Sequence, residues 1–432
     1  MQWAHDCRAL IDIACLALWC AALSLSWAGT FIALARVDAA GKGKKGWNGK
    51  AKSGICVSSR EGDGSWQEDD VGNVGPSPPL VTIIKPLKGV DDGMEENIVS
   101  FLQQDYPEYE IIFCVDAEKD KAYAFVCDIL SRHHTYAKRV VFTTKGARVG
   151  PNPKINNMVP AFDLVRSELV LSSDSNARVE ASYLRRVVKY MTNDDKVVIA
   201  SGFVAGFSPS GFGGMLECLY LNTFYARFML LLDALGIPQV VGKNIMFRRD
   251  FILRNGGLAA LGYHLAEDNV MGQWAVRERL KVVLTREPSY QHIGSHSLYD
   301  FWQRHLRWGR LRKGLAFGGF VAEVVTYPFV SLLIGCASIP AVFGMSLSCY
   351  CVLHICLHCA SDMVLYNCVL GEHDGGGFWK SVCAWAMREI TALPMWLHVA
   401  SGNTVNWRGS VLRVLRGGDI EDVTESATRK LM

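Results

Sequence analysis

The chain has 432 residues, of which 50% are hydrophobic and 20% are charged, and its mean hydropathy is +0.13. This composition excludes an intrinsically disordered protein and indicates that part of the chain meets a membrane. The formal net charge is only +3, and the dense group of lysines between 42 and 52 directly follows an apolar segment. Because no concentrated basic face is evident in the sequence, a nucleic-acid partner is not expected.

The amino-terminal segment predicts a membrane anchor. Residues 10–35 are apolar over a length that exceeds the roughly 20 residues needed to cross a bilayer, so residues 1–36 are predicted to be an uncleaved signal anchor. The lysines that follow favour a cytosolic position for the next part of the chain. Residues 37–79 are rich in Gly, Lys, Ser and Asp and predict a flexible linker. The 14 scattered cysteines indicate a reducing compartment rather than a disulfide framework.

From residue 80 onward, apolar strands and amphipathic helices alternate. Strands are predicted at 81–84, 109–115, 140–144 and 169–173, and helices at 94–104, at 122–131 and after Pro153. This alternation is typical of an α/β domain, here residues 80–320, with a mostly parallel sheet covered by helices on both faces. Ligands of such sheets bind at the carboxyl ends of the strands.

Apolar segments return after residue 320. Candidate spans lie at 324–343, 347–370 and 378–400 in a membrane region of residues 321–402, followed by a tail of residues 403–432. The third contains Arg388 and Glu389, which are expensive to place in a bilayer, so two or three spans remain open. Three spans would put the carboxyl terminus outside the cytosol. Two would keep it inside, which suits the arginines at 408, 413 and 416 better.

Acidic residues follow two of the predicted strands. Asp116 and Asp120 come after the second strand, and Asp174 and Asn176 come after the strand at 169–173. Aspartates at this edge of a sheet can present oxygens to a Mg²⁺ or Mn²⁺ ion that already holds a diphosphate. The alternative is that each aspartate caps the helix that follows it.

Three further segments are candidates for function. Glu267 and Asp268 open a predicted helix, where carboxylates also complement the helix dipole. The box Gln-Arg-His-Leu-Arg-Trp at 303–308 lies just before the membrane segments and could equally be an interfacial anchor. The segment at 215–235 is apolar around most of a helix, which fits a buried core helix or a surface that rests on the membrane.

The order of these motifs resembles the inverting glycosyltransferases of the GT-A fold, and within them the ceramide glucosyltransferase family. The resemblance covers about residues 81–308. Besides the sites above, it rests on Ile-Lys-Pro-Leu-Lys-Gly-Val-Asp at 84–91, Asp-Tyr-Pro at 105–107 and Asn-Pro-Lys-Ile-Asn-Asn at 152–157. It implies a GT-A domain on the cytosolic side of a Golgi or endoplasmic reticulum membrane. The implied reaction transfers glucose from UDP-glucose to ceramide with inversion.

The resemblance also implies a role for each site residue. Asp120, or Asp116 in its place, would help to hold the nucleotide. Asp268 would be the general base. The remaining donor-binding residues would be Lys154, Asp174 and Asn176. Asp174 would also bind Mg²⁺ or Mn²⁺. The residues that would close the site over the diphosphate and the lipid are Gln303, Arg307 and Trp308.

Two positions depart from the family pattern. Asn176 stands where many GT-A enzymes have a second aspartate, which predicts weak metal binding, and Tyr225 stands where the family often has a histidine. The alternatives are a related membrane glycosyltransferase that acts on a polyprenyl phosphate or a polysaccharide, and a non-catalytic lipid-binding protein. Four residues present together argue against the second alternative: Asp174, Asp268, Arg307 and Trp308.

Overall fold

The computed structural model describes residues 2–41, 78–371, 373–407 and 410–424, with side chains for residues 10–37 in the first range. Most of the predicted linker at 37–79 and the end of the predicted tail therefore lie outside the described residues. The helices are α1 (Gln2–Gly41), α2 (Met94–Leu102), α3 (Lys121–Arg132), α4 (Pro153–Asp163), α5 (Tyr183–Thr192), α6 (Gly211–Tyr220), α7 (Ala226–Ala234), α8 (Arg249–Arg254), α9 (Glu267–Arg277), α10 (Leu298–Leu315), α11 (Phe317–Glu323), α12 (Pro328–Cys336), α13 (Ile339–Phe343), α14 (Leu347–Leu370) and α15 (Phe378–Ala400). The strands are β1 (Val81–Pro86), β2 (Tyr109–Cys114), β3 (Arg139–Thr143), β4 (Leu169–Ser173), β5 (Ala177–Arg178), β6 (Val197–Ser210), β7 (Asn244–Arg248), β8 (Lys281–Ser295), β9 (Thr404–Trp407), β10 (Ser410–Val414) and β11 (Ile420–Asp422).

Within the described residues, β1–β8 form one sheet in the order β3-β2-β1-β4-β7-β6-β8-β5. The pairs β3–β2, β2–β1, β1–β4 and β6–β8 are parallel. Neighbouring residues Ile83 and Ile84 belong to apolar clusters on opposite faces, because successive side chains of a strand alternate. Helices α2, α3 and α5 cover one face, and α4, α8 and α9 cover the other. The predicted α/β class with a mostly parallel sheet is confirmed.

Strand β7 runs against its neighbours, and this direction matters for the site. It is antiparallel to β4 and to β6, and Asn244 at its start pairs with Ser173 at the end of β4. The start of β7 therefore lies at the same edge as the carboxyl ends of the parallel strands. The residue before it, Lys243, joins Asp174 at that edge.

The helices that qualify as membrane spans differ sharply in burial. Within the described residues, Leu10–Val37, Gly211–Ala234 and Leu347–Leu370 are long and apolar enough to cross a membrane. The buried share of the apolar window is 11% for the first, 72% for the second and 28% for the third. The segment Gly211–Ala234, which comprises α6, a π-helical turn and α7, thus packs inside the protein as a core helix. The two others make the chain a membrane protein.

The downstream membrane region departs from the prediction. A single span at 324–343 is wrong, because the chain forms separate helices there: Pro328 is the first residue of α12, and Pro340 lies in the first turn of α13. Instead, Phe317–Thr326 and Pro328–Cys336 form a pair bent by 65° that is apolar enough to span only when taken together. The third candidate segment forms helix α15 (Phe378–Ala400), but this helix is not among the described helices that are apolar enough to cross a membrane.

A buried polar cluster attaches these helices to the domain. Asp362 of α14 is fully buried and accepts hydrogen bonds from Trp385 Nε1 at 2.9 Å and from Arg388 Nη2 at 3.3 Å. It also pairs with Arg227 of α7, whose Nε donates to Thr30 of α1 at 3.0 Å. A buried charge needs partners of this kind, so the cluster fixes how α1, α14 and α15 sit on the domain.

The segment predicted as a tail contains a small antiparallel sheet, β9–β11. Its apolar residues Val405 and Leu412 pack on Leu311 of α10. Lys313 of α10 donates to the carbonyls of Val399 and Ala400 at 2.9 and 3.0 Å, which satisfies the end of α15. The sheet therefore lies against the α/β domain.

Candidate active site

The run Asn-Pro-Lys-Ile-Asn-Asn at 152–157 starts helix α4 at the ligand edge. The Asn152 side chain caps the helix by accepting from the backbone N–H of Lys154 at 2.9 Å, and Pro153 occupies the first helical position. Lys154 can then reach across the site. Its Nζ lies 2.9 Å from Asp174 Oδ1 and 2.8 Å from Glu267 Oε1.

Asp174 is surrounded by cations. Its other oxygen, Oδ2, lies 3.1 Å from Lys243 Nζ, and Lys243 also donates to Asn176 Oδ1 at 2.8 Å. Although burial opposes the charged form, Lys154 and Lys243 hold the pKa of Asp174 well below its ordinary value. Burial lowers the pKa of Lys85, which donates to the Asp174 carbonyl at 3.1 Å, to about 7. Such a cluster suits the binding of an anionic diphosphate.

Asp268 stands beside this cluster with different electrostatics. Burial and the neighbouring charge of Glu267 raise the pKa of Asp268 to about 6. A Cβ atom added to Gly242 would lie 2.9 Å from Asp268 Oδ2, so the backbone of the loop before β7 closely confines the carboxylate. A carboxylate with a pKa near neutrality is well matched to general-base work.

Asp174 and Asn176 are the residues of this cluster whose oxygen atoms could bind a divalent cation. Asp174 and Asn176 offer oxygen ligands of the type that Mg²⁺ and Mn²⁺ prefer. Among the described residues, no group of three or more His, Cys, Asp or Glu side chains is arranged to hold a metal ion. Lys243 Nζ already contacts Asp174 Oδ2 and Asn176 Oδ1. A cation bound there would therefore depend on phosphate and water for its other ligands.

The box at 303–308 lies on α10, which begins with a capping box formed by Ser297 and Asp300. Gln303 and Arg307 are four residues apart and so share a face of the helix. The Trp308 ring lies 6.1 Å from the Tyr220 ring, and the Arg304 guanidinium lies 4.8 Å from the Trp308 ring.

Glu217 of α6 holds α10 in place. Its carboxylate is fully buried and lies 3.1 Å from Arg304 Nε and 2.9 Å from His305 Nε2. Burial, together with the charge of Arg304, lowers the pKa of Lys243. Arg304 therefore contributes to the electrostatic environment of Lys243, and the roles of Gln303, Arg307 and Trp308 at the site stay predictions.

The two candidates for the nucleotide-binding aspartate, Asp116 and Asp120, differ in environment. Asp120 Oδ1 accepts from the backbone N–H groups of Gly89 at 2.8 Å and Ala122 at 2.9 Å, so it caps α3 and fixes the loop after β1. Asp116 is half exposed and pairs with Arg148 at 2.9 Å. The structure thus gives Asp120 a structural task, and its nucleotide role stays a prediction.

Sequence reasoning missed several residues of this site. Lys243 and Gly242 precede an antiparallel strand, whereas the sequence pattern predicts ligand groups only after the ends of strands. Glu217 sits in an apolar helix that predicted core packing. A charged residue inside an otherwise apolar run was the available signal for it. The missed residues with contacts in the site are Lys85, Glu217, Gly242 and Lys243.

A mostly parallel sheet whose ligand edge combines a cationic cluster with a confined carboxylate, next to membrane helices, defines a membrane-attached glycosyltransferase of the GT-A type. The model of glycosyl transferase family 21 matches residues 61–420, and the chain belongs to this family.

The chain is also similar to several named proteins. Ceramide glucosyltransferase 3 of Caenorhabditis elegans is 27% identical over 342 residues, which cover 79% of this chain and 74% of the relative. The ceramide glucosyltransferase of Komagataella phaffii is 24% identical, with 78% of this chain and 84% of the relative covered. Among solved structures, the mannosyltransferase PcManGT of Pyrobaculum calidifontis in complex with GDP-Man and Mn²⁺ is similar, with a TM-score of 0.41 and 16% identity over 87% of this chain and 98% of that one.

Proposed function

We propose that this protein transfers glucose from UDP-glucose to ceramide with inversion at the anomeric carbon. The relatives that carry the name ceramide glucosyltransferase support the choice of substrates. The observation that carries the chemistry is the pairing of Asp268, with its pKa raised to about 6, and the cationic cluster around Asp174. A related enzyme acting on a polyprenyl phosphate or a polysaccharide is not favoured.

The proposed reaction is a single displacement. Asp268 takes the proton from the primary hydroxyl of the acceptor while that oxygen attacks the anomeric carbon of glucose from the face opposite the diphosphate. The bond from the anomeric carbon to the diphosphate oxygen breaks, and UDP leaves with the bonding electrons. Lys154, Lys243 and Arg307 would stabilise the charge that develops on the diphosphate. When bound by Asp174 and Asn176, Mg²⁺ or Mn²⁺ would neutralise part of the same charge.

The closing element of the site would be the box on α10. Gln303 and Arg307 would contact the diphosphate, and Trp308, which packs against Tyr220, would border the lipid. Asp120, or Asp116 in its place, would contact the nucleotide. This arrangement would bring a water-soluble donor and a membrane-bound acceptor together at the membrane surface.

The proposed location is a Golgi or endoplasmic reticulum membrane with the α/β domain in the cytosol. The lysines after α1 support this orientation. The packing of β9–β11 against α10 supports an even number of crossings between residues 317 and 400, because both ends of that segment meet on one side. Two crossings satisfy this condition, and three do not.

The test is to incubate membranes that contain the protein with UDP-glucose, UDP-galactose or GDP-mannose, each with ceramide or with dolichyl phosphate. The proposal expects glucosylceramide from UDP-glucose and ceramide as the main product, with a β linkage that reports inversion. A preference for dolichyl phosphate, or an α-linked product, would contradict it.

A further inference from the structure

A narrow cavity of about 70 Å³ lies between α10, α11, α15 and the core helix 211–234. Roughly five water-sized groups would fill this volume, so it suits part of a ligand rather than a whole lipid. Aromatic side chains form part of its walls, and the ring centroids of Phe320 and Trp396 stack 4.8 Å apart on one side. The cavity is separate from the cationic cluster that would bind the donor.

The polar groups of this cavity are balanced in charge. Arg312 Nη1 lies 3.1 Å from Glu323 Oε2, and Arg388 pairs with Glu389. All four side chains line the cavity. Because each arginine is already paired with a carboxylate, the cavity has no excess positive charge to bind an anionic headgroup. A neutral ligand therefore matches it better.

Glu389 carries the feature that points to a ligand. The residue is 2% exposed, and its Oε1 pairs with Arg388. Among the described residues, its Oε2 has no hydrogen-bond partner. A buried carboxylate oxygen without a donor is costly, so this atom requires a hydrogen-bond donor from a bound molecule or from water.

Two neighbouring tyrosines, Tyr220 and Tyr225, lie at one side of the cavity. Tyr220 lines the cavity, and its ring lies 4.3 Å from His305 and 6.3 Å from the Tyr225 ring. Burial and the charge of Asp268 raise the pKa of Tyr225. A molecule in the cavity could thus extend along the rings of Tyr220 and Tyr225.

We propose that the cavity binds the amide and the secondary hydroxyl of ceramide, and that Glu389 Oε2 accepts a hydrogen bond from one of them. Ceramide is neutral and offers these two donors in addition to the primary hydroxyl that reacts. Its position there would direct the primary hydroxyl toward Asp268. The proposal rests on the proposed function and assigns the acceptor subsite.

The test compares Glu389→Gln with the wild-type enzyme on three acceptors: ceramide, N-methylceramide and 3-deoxyceramide. The wild type should use at least one analogue with a kcat/KM about ten-fold lower or more, as expected for loss of a hydrogen bond to a charged group. Glu389→Gln should use ceramide about ten-fold less well and should no longer discriminate against that analogue. Unchanged discrimination in the variant, or none in the wild type, would overturn the proposal.

Glu108→Gln is the matched control, because Glu108 pairs with Lys138 just before β2 at the opposite edge of the sheet. It should keep wild-type kinetics. Binding of UDP-glucose, measured by calorimetry, reports whether Glu389→Gln remains folded.

Ala392→Phe, which would fill the cavity, provides a second variant that leaves Glu389 intact. It should lose transfer to ceramide and keep UDP-glucose binding, and normal transfer would overturn the proposal.

Failure of the subsite and failure of the proposed function give different results. If the wild type makes glucosylceramide but Ala392→Phe and Glu389→Gln behave like it, only the subsite is wrong. If the wild type transfers no glucose to ceramide, the proposed function is wrong and the subsite assignment falls with it.

Discussion

Lys154 Nζ lies 2.8 Å from Glu267 Oε1, and this ion pair joins the run at 152–157 to the Glu-Asp pair that opens α9. Because the same nitrogen lies 2.9 Å from Asp174 Oδ1, one lysine links the proposed donor-binding residue to the neighbour of the proposed general base. Lys154 also opposes the effects that raise the pKa of Asp268. The ionisation of the general base therefore depends on two neighbours of opposite charge.

Removing the negative charge of Glu267 should move the acidic limb of the pH profile of kcat/KM to lower pH. Asp268 accepts a proton only when ionised, so kcat/KM should rise with pH through about 6. Glu267→Gln removes a charge that raises the pKa of Asp268, and the acidic limb should move to lower pH by about one unit. The measurement is kcat/KM for ceramide from pH 4.5 to 8.5. An unmoved limb would show that another group controls the rate.

Removing the positive charge of Lys154 should move the same acidic limb to higher pH. Lys154→Met deletes the cation that lowers the pKa of Asp268, so the acidic limb should move to higher pH by about one unit. The same profile, measured at saturating UDP-glucose, checks this. A shift in the same direction as that of Glu267→Gln would be inconsistent with the arrangement.

Asp174→Asn should weaken donor binding. The carboxylate contacts Lys154 and Lys243, and it would hold the cation in the complex with the diphosphate. We expect the KM for UDP-glucose to rise by about ten-fold or more, the effect of losing one charged contact. Asp194→Asn, on an exposed pair with Lys281, is the control. Full wild-type activity in excess chelator, after metal-free purification, would remove the cation from the mechanism.

Glu217→Gln should destabilise the attachment of α10. It would leave Arg304 without its carboxylate partner in a position that is only 19% exposed. Removing one partner of a buried ion pair lowers the free energy of unfolding by about 3–5 kcal/mol. The exposed pair between Glu108 and Lys138 should contribute only about 0–1 kcal/mol to it. Thermal unfolding of the two glutamine variants in detergent measures the difference. Equal unfolding temperatures would show that Glu217 does not hold the helix.

The carboxyl terminus and the α/β domain should lie on the same side of the membrane. In sealed endomembrane vesicles with the cytosolic side outward, protease should remove an epitope placed after residue 432 and also cleave within residues 80–307. The packing of β9–β11 on α10 is the physical reason. Cleavage of the domain together with a protected carboxyl terminus would indicate an odd number of crossings.

The sequence was informative where one local signal dominates. The apolar runs that predicted strands at 81–84 and 169–173 are β1 and β4, and the parallel sheet follows from their alternation with helices. The position of Asp174 at the ligand edge follows from the same rule. Convergence of Lys154 with Glu267 required knowledge of how α4 and α9 pack, which periodicity does not contain.

Other features depend on tertiary structure. Lys243 reaches the site only because β7 is antiparallel, and an isolated apolar strand carries no signal of its direction. The arginine-containing segment after residue 403 predicted a tail, but it forms strands whose apolar residues pack on Leu311. Conversely, Pro328 and Pro340 were visible breaks in the segment at 324–343, where overall hydropathy had favoured one span.

The central claim is that Asp268 is the general base of glucose transfer to ceramide, and Asp268→Asn tests it most directly. The amide has nearly the same shape but cannot accept the proton. The wild type should form glucosylceramide from UDP-glucose and ceramide, and the variant should lose turnover by 10² or more, on the order of a general-base contribution, while it still binds UDP-glucose. Near-normal turnover of the variant would contradict the account.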